Sequence, residues 1–86
     1  MADQYDEAAR WAELAVRDQP NSPNNAYALT LSRALSGDLE QAHKAAARLL
    51  ELSPGWRISD SIAVRRALPE RRIQIVNALR KAGLPE

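Results

Sequence analysis

The chain repeats its own pattern at a fixed offset, and this internal repeat limits the folds open to it more than any other feature. When residues 5–20 are aligned with residues 39–54, equivalent positions carry residues of similar character. The matched pairs are Tyr5 with Leu39, Asp6 with Glu40, Ala8 with Ala42, Ala12 with Ala46, Ala15 with Leu49, and Pro20 with Pro54. A period of roughly 20–50 residues indicates stacked units that bury a continuous core only together.

The second copy of the pattern, within residues 36–54, predicts one well-delimited packing helix. Asp38 can accept hydrogen bonds from the first free backbone N–H groups, and Gln41 three residues later completes a capping box. Pro54 ends the helix, because the residue before a proline avoids helical geometry. The apolar stripe between these limits consists of Leu39, Ala42, Ala45, Ala46, Leu49 and Leu52. Its alanines allow another helix to approach closely.

Composition favours helices along the whole chain. The hydrophobic content is 45%, without phenylalanine, and most of it is alanine and leucine. Besides the 36–54 helix, we predict helices over residues 4–18 with Asp3 as N-cap, 22–36, 59–67 and 69–82. Ser59 or Asp60 is expected to cap the fourth helix, with Ile62, Val64 and Leu68 directed inward, and Gly83 to end the fifth. The predicted fold class is all-α, with about five helices.

In its central part the chain resembles the tetratricopeptide repeat (TPR) family, whose repeat length of about 34 residues equals the offset between Tyr5 and Leu39. Ala42, Ala46, Leu49 and Pro54 match the order of small, packing and proline positions in the second helix of such a repeat. In the first helix Leu29 and Gly37 fit the pattern, whereas Ala26, Thr30 and Arg33 depart from it. The resemblance implies antiparallel helical hairpins forming a fragment of a right-handed α-solenoid. Residues 1–86 would be one domain: the second half of a repeat (1–20), a complete repeat (21–54) and C-terminal capping helices (55–86).

A narrower resemblance covers approximately residues 32–86 and is carried by the ending LRKAGLPE after a repeat and a proline-initiated helix. It is similar to the C-termini of bacterial multidomain proteins that join an adenylate/guanylate cyclase domain or a winged-helix domain to TPR segments. This implies a regulatory protein with an upstream effector domain. Any catalytic residues of such a cyclase would lie upstream of this chain.

The sequence offers no constellation for catalysis, cofactor binding or metal binding, so we predict none of these sites. Cysteine is absent, and His43 is the only histidine, on the flank of a packing helix with no ligand at helical spacing. The three glycines cannot build a phosphate loop. A non-enzymatic interaction module that binds a protein or peptide is therefore the preferred function.

The strongest candidate surface is one face of the second helix. In TPR arrays the first helix of each repeat lines a concave peptide-binding groove. By the resemblance, the groove residues here are Asn24, Tyr27, Leu31, Ala34 and Leu35. The alternative is that this face packs on a neighbouring repeat or on the C-terminal helices.

Two other functions stay open on the sequence. The apolar residues of the first helix cover an arc wide enough for two neighbours, which suggests a homodimer through Tyr5, Trp11 and Leu14. Residues 57–86 carry seven Lys/Arg against three Asp/Glu, whereas residues 1–56 carry five against eight. The basic third could bind acidic proteins or, least favoured, nucleic acid. The polar start and the lack of a long apolar run predict a cytoplasmic protein without membrane association.

Overall fold

The computed structural model describes residues 2–86, with side chains from residue 4 onward. These residues form five α-helices, one short 3-10 helix and no strand, which confirms the all-α prediction. The α-helices are α1 (Ala2–Asp18), α2 (Pro23–Ser36), α3 (Leu39–Leu52), α4 (Ile62–Arg66) and α5 (Pro69–Lys81), with the 3-10 helix at Ile58–Asp60.

The starts of α2 and α3 follow their capping residues. The Ser22 hydroxyl accepts from the Asn25 N–H at 3.4 Å, and the Asp38 carboxylate accepts from the Gln41 N–H at 3.2 Å. The return bond of the predicted capping box is absent, because the Asp38 N–H donates instead to the Arg33 carbonyl at 3.0 Å. That bond passes around Gly37, which ends α2 at a φ of 91° in the left-handed region.

Two other predicted caps are wrong. α1 begins at Ala2, so Asp3 lies within the helix rather than ahead of it, and its side chain is outside the described residues. Ser61, not Ser59 or Asp60, caps α4: its hydroxyl accepts from the Val64 N–H at 3.2 Å. Asp60 instead closes the 3-10 helix, where its carboxylate accepts from the Arg57 N–H.

The predicted inward side of α4 is also wrong in part. Ile62 is 61% exposed and Leu68 is 73% exposed, while Val64 is half-buried. The apolar residue that this region contributes to the core is Ile58, from the 3-10 helix. A helix as short as α4 packs on one side only, and that side is occupied by Ala63 and Val64.

α2 is the central helix of the fold. It packs against α1, against α3 and against α5, while α4 packs on α5 and on the 3-10 helix. The core lies among α2, α3 and the C-terminal elements and includes Ala34, Ala46, Leu49, Ile75 and Leu79. This order of contacts agrees with antiparallel hairpins, and the superhelical TPR arrangement stays a prediction.

The C-terminal end is fixed by a glycine-based stop. Gly83 has a φ of 98°, its N–H donates to the Arg80 carbonyl, and the Leu84 N–H donates to the Leu79 carbonyl at 3.2 Å. Leu84 is buried, which supplies the apolar contact that accompanies this motif. The Pro85 carbonyl then accepts from the Ile58 N–H at 2.8 Å, so the last residues hold the 3-10 helix in place.

A buried serine ties α4 to α2. The hydroxyl oxygens of Ser61 and Tyr27 lie 2.5 Å apart, and the Tyr27 ring packs on the Trp56 ring with centroids 5.4 Å apart. Because the Ser61 hydroxyl also caps α4, one fully buried group stabilises both the start of α4 and its contact with α2.

Replacing Ser61 with alanine should lower the free energy of unfolding by about 1–2 kcal/mol, since it removes a helix cap and leaves the Tyr27 hydroxyl without its partner. Ser59→Ala is the matched control, because the exposed Ser59 side chain has no such bonds among the described contacts. Urea denaturation of both variants measures the difference. Equal midpoints for the two variants would contradict the assigned role of Ser61.

Candidate interaction surfaces

The face of α2 predicted to line a groove is largely covered by the chain itself. Tyr27, Leu31 and Leu35 are half-buried and pack against the core cluster, and Ala34 is part of that cluster. Asn24 is exposed. Packing on the C-terminal elements, the alternative left open by the sequence, accounts for the burial of these residues, and their role in a peptide groove stays a prediction.

The clefts beside this face are small or polar. One of about 70 Å³ lies among Asn24, Tyr27, Trp56 and Asp60, a space for a few water molecules. Another, of about 280 Å³, lies between the end of α2 and α5, and much of its lining is polar. Gln74, Asn77 and Lys81 contribute to it. The first is too small to hold a peptide side chain, and the second lacks the apolar lining of a pocket that anchors one.

An exposed apolar surface lies instead on α1. Trp11 is 67% exposed and Leu14 is 52% exposed. They lie on the side of the helix away from Ala9 and Ala12, which are buried in the contact with α2. We refer to this surface as the α1 stripe, which consists of Glu7, Ala8, Trp11, Leu14 and Asp18.

The internal repeat allows residues of the α1 stripe to be compared with their equivalents in α3. Ala8 and Trp11 are equivalent to Ala42 and Ala45 of α3. In α3 both positions are buried, whereas in α1 both are exposed. α3 has α2 before it along the chain, and the described residues contain no equivalent helix ahead of α1.

The other side of the two helices shows the same equivalence. Ala9 of α1 is buried against α2, the helix that follows it. Its equivalent in α3 is His43, whose Nε2 lies 2.7 Å from the Lys81 carbonyl of α5, the last helix. A carbonyl only accepts, so Nε2 carries the proton and donates. This side therefore packs on the following helix in α1, and in α3 it donates a hydrogen bond to the last helix.

Of the residues predicted for self-association, Tyr5 does not belong to the exposed surface. It is half-buried, and its hydroxyl accepts a hydrogen bond from the Arg71 guanidinium, which also lies over its ring at 5.7 Å from the centroid. Trp11 and Leu14 are the two that are exposed. The dimer itself is a prediction.

Arg33 links three helices, which the sequence did not indicate. Its side chain is 18% exposed, and its guanidinium lies 2.7 Å from the Glu13 carboxylate of α1 and 3.9 Å from that of Asp38 at the start of α3. Its Nε is buried without a hydrogen-bond partner. Both partners belong to other helices, so no local pattern in the sequence predicts the link.

Most arginines of the basic third bond within the chain. Arg65 donates to the Ser59 carbonyl, Arg72 donates to the carbonyls of Val64 and Ala67, and Arg80 pairs with Glu86. These bonds hold α4 and the chain end in place. Long arginine side chains commonly pack along the protein surface in this way while their charged groups stay in water.

Two further large apolar side chains are exposed in this part of the chain: Ile62 at the start of α4 and Leu68 just ahead of α5. Residues 62–72 contain four arginines and one glutamate, a net charge of +3. This segment therefore combines exposed apolar side chains with positive charge.

Among the described residues, no group of three or more His, Asp or Glu side chains is placed to hold a metal ion. In the same part of the chain, no helix combines the length and the apolar character that crossing a bilayer requires. Comparison with protein-family models, with curated proteins and with solved structures finds no match for this chain.

Proposed function

We propose that the chain is a non-enzymatic protein-interaction module of TPR-like helical hairpins, which binds an apolar helix of a protein partner along the α1 stripe. The observation that carries the proposal is the exposure of Trp11, two-thirds open to solvent, at a position whose equivalent in α3 is buried against a preceding helix. Large exposed apolar side chains in a continuous row mark interaction sites in soluble proteins.

α3 indicates how a partner helix would pack. Ala42, Ala45 and Ala46 are buried, and α3 packs on α2, whose Ala26 and Ala34 belong to the same core cluster as Ala42 and Ala46. The α1 stripe has Ala8 and Trp11 at the first two of these equivalent positions, so a helix can approach beside Ala8 while the indole covers its flank. The side chain of tryptophan contributes a large area at low entropic cost and is enriched among residues that dominate binding energy.

The charged residues around the α1 stripe are of both signs. Glu7 and Asp18 stand toward its two ends, and Arg10 and Arg17 flank Leu14, all of them exposed. A partner helix is therefore expected to bind through its apolar residues, with polar residues at the edges of the contact. The regulatory role and the upstream effector domain implied by the C-terminal resemblance belong to this proposal as expectations.

The proposal is tested by selecting amphipathic helical peptides against the whole chain from a displayed library and measuring their affinity by fluorescence anisotropy. Trp11→Ala should weaken binding at least about tenfold, corresponding to about 1.4 kcal/mol. Ile73→Ala is the matched control, because Ile73 is an equally exposed apolar residue outside the stripe. Peptides whose affinity is the same for wild type and Trp11→Ala would overturn the proposal.

A further inference from the structure

We propose that the groove between α1 and α3 binds a small amphipathic carboxylate, a free acid that carries one aromatic or branched apolar group. Both helices pack on α2 but make few contacts with each other, so a space remains between them over α2. We refer to this space as the α1–α3 groove. It has a volume of about 200 Å³ and a mainly apolar surface.

All three helices contribute apolar side chains to the α1–α3 groove. These residues are Val16 of α1, Ala26 and Leu29 of α2, and Ala45 of α3. Val16 stands four residues after the buried Ala12 and two after Leu14, so it lies on the buried side of α1, nearly opposite Leu14. The groove is therefore separate from the α1 stripe, and its ligand would bind independently of a partner helix there.

The size of the groove suits a small molecule rather than a helix. An apolar cavity of about 150 Å³ is large enough to bind benzene. A volume of about 200 Å³ therefore accommodates a phenyl ring or a branched alkyl group, but it is too small for the several side chains along one face of a helix. The groove is open to solvent, so a charged group attached to the ring can stay at its edge.

Hydrogen-bond donors and positive charge lie along the α3 edge of the groove. Gln41, Lys44 and Arg48 line it at the spacing of one helix face, and none of the lining residues is acidic. Lys44 is exposed, and no carboxylate of the described residues, that of Glu40 one turn earlier included, lies within 4.0 Å of its ammonium group. An ammonium group beside an apolar cavity matches a ligand whose apolar group is attached to a carboxylate.

Arg48 holds α3 to the turn that follows α1. Its guanidinium donates to the Pro20 carbonyl at 3.2 Å and to the Asn21 side-chain oxygen at 2.8 Å. It also pairs with the Glu51 carboxylate at 3.2 Å, which offsets part of its charge. Arg48 therefore acts mainly on the structure of the groove, and Lys44 carries the charge that is available to a ligand.

The test measures binding of 3-phenylpropanoate to the whole chain by NMR, with 3-phenylpropanamide as the neutral comparison. Backbone signals of the groove residues should shift, with a Kd of about 1 mM or tighter for a ligand of this size. The amide should bind about two- to fivefold more weakly, the effect of one exposed ion pair. Salt at about 500 mM should remove most of that difference.

Three variants locate the site. Lys44→Gln should weaken binding of the acid about two- to fivefold and leave binding of the amide unchanged. Lys81→Gln is the matched control, because Lys81 is the other lysine of the chain and lies outside the groove. Val16→Trp should abolish binding of both compounds by filling the groove, with circular dichroism showing that the variant is folded.

Several results would overturn the inference. They are the absence of shifts at about 20 mM acid, shifts confined to residues outside the groove, and equal affinities for acid and amide. Equal affinities of Lys44→Gln and Lys81→Gln for the acid, or full binding by folded Val16→Trp, would do the same. A peptide ending in phenylalanine that binds more than about tenfold tighter than the acid would contradict the choice of a free acid. None of these results would change the expected binding of a partner helix to the α1 stripe.

Discussion

Replacing Leu79 with alanine is expected to lower the free energy of unfolding by about 2–5 kcal/mol, the largest effect of any single substitution considered for this chain. Leu79 is fully buried where α5 meets the core of α2 and α3, and its carbonyl accepts the Leu84 N–H that ends the helix. Truncation would leave a cavity beside small alanine side chains that cannot move in to fill it. The free energy of unfolding of a small domain is commonly only about 5–15 kcal/mol, so this substitution would remove a large share of it.

Ile73→Ala on the same helix is the control for this prediction. Ile73 is 64% exposed, so its loss should change the unfolding free energy by less than about 0.5 kcal/mol. Urea denaturation followed by circular dichroism gives both values. If Leu79→Ala cost no more than Ile73→Ala, α5 would not pack on the core through the side described above.

The same two residues show what the periodicity of α5 could and could not predict. Helical spacing predicts that Ile75, Leu79 and Ala82 share one face, and all three are buried. Ile73 is equally apolar, yet as the second residue before Ile75 it lies on nearly the opposite side of the helix and is exposed. Apolar character alone does not bring a residue into the core of a chain this small, because too few elements surround it.

Between α3 and α5 sequence reasoning failed more widely, for a physical reason. A five-residue helix and a three-residue 3-10 helix are too short to show a period, so neither the burial of Ile58 nor the exposure of Ile62 was predictable. Ser61 acts through Tyr27, which lies far earlier in the chain. Such long-range hydrogen bonds depend on tertiary structure and leave no mark in local composition.

The sequence indicated an apolar surface on α1, but it did not show which side of the helix would remain exposed. The wide apolar arc of α1 predicted neighbours on two sides, and α2 is the neighbour on one of them. Alanine at Ala9 and Ala12 faces α2, while Trp11 faces solvent. The sequence of α1 alone does not show which side of the helix packs on α2, because alanines and larger apolar residues are distributed around most of it.

Replacing Ala46 with leucine should lower the free energy of unfolding by about 1–3 kcal/mol through overpacking. Ala46 is buried in the cluster shared by α2, α3 and α5, where the close approach of the helices depends on small side chains. The larger side chain would force α3 away from α2 or α5, or force leucine out of a favoured rotamer.

Ala47→Leu is the control at the neighbouring position of the same helix. It makes the same substitution, so it changes helix propensity by nearly the same amount. Ala47 is exposed, so leucine there should leave the unfolding free energy within about 0.5 kcal/mol of wild type. Thermal and urea denaturation of the two variants would separate the effect of packing on the unfolding free energy from the effect of helix propensity. If both variants were as stable as wild type, Ala46 would not lie at a close helix contact.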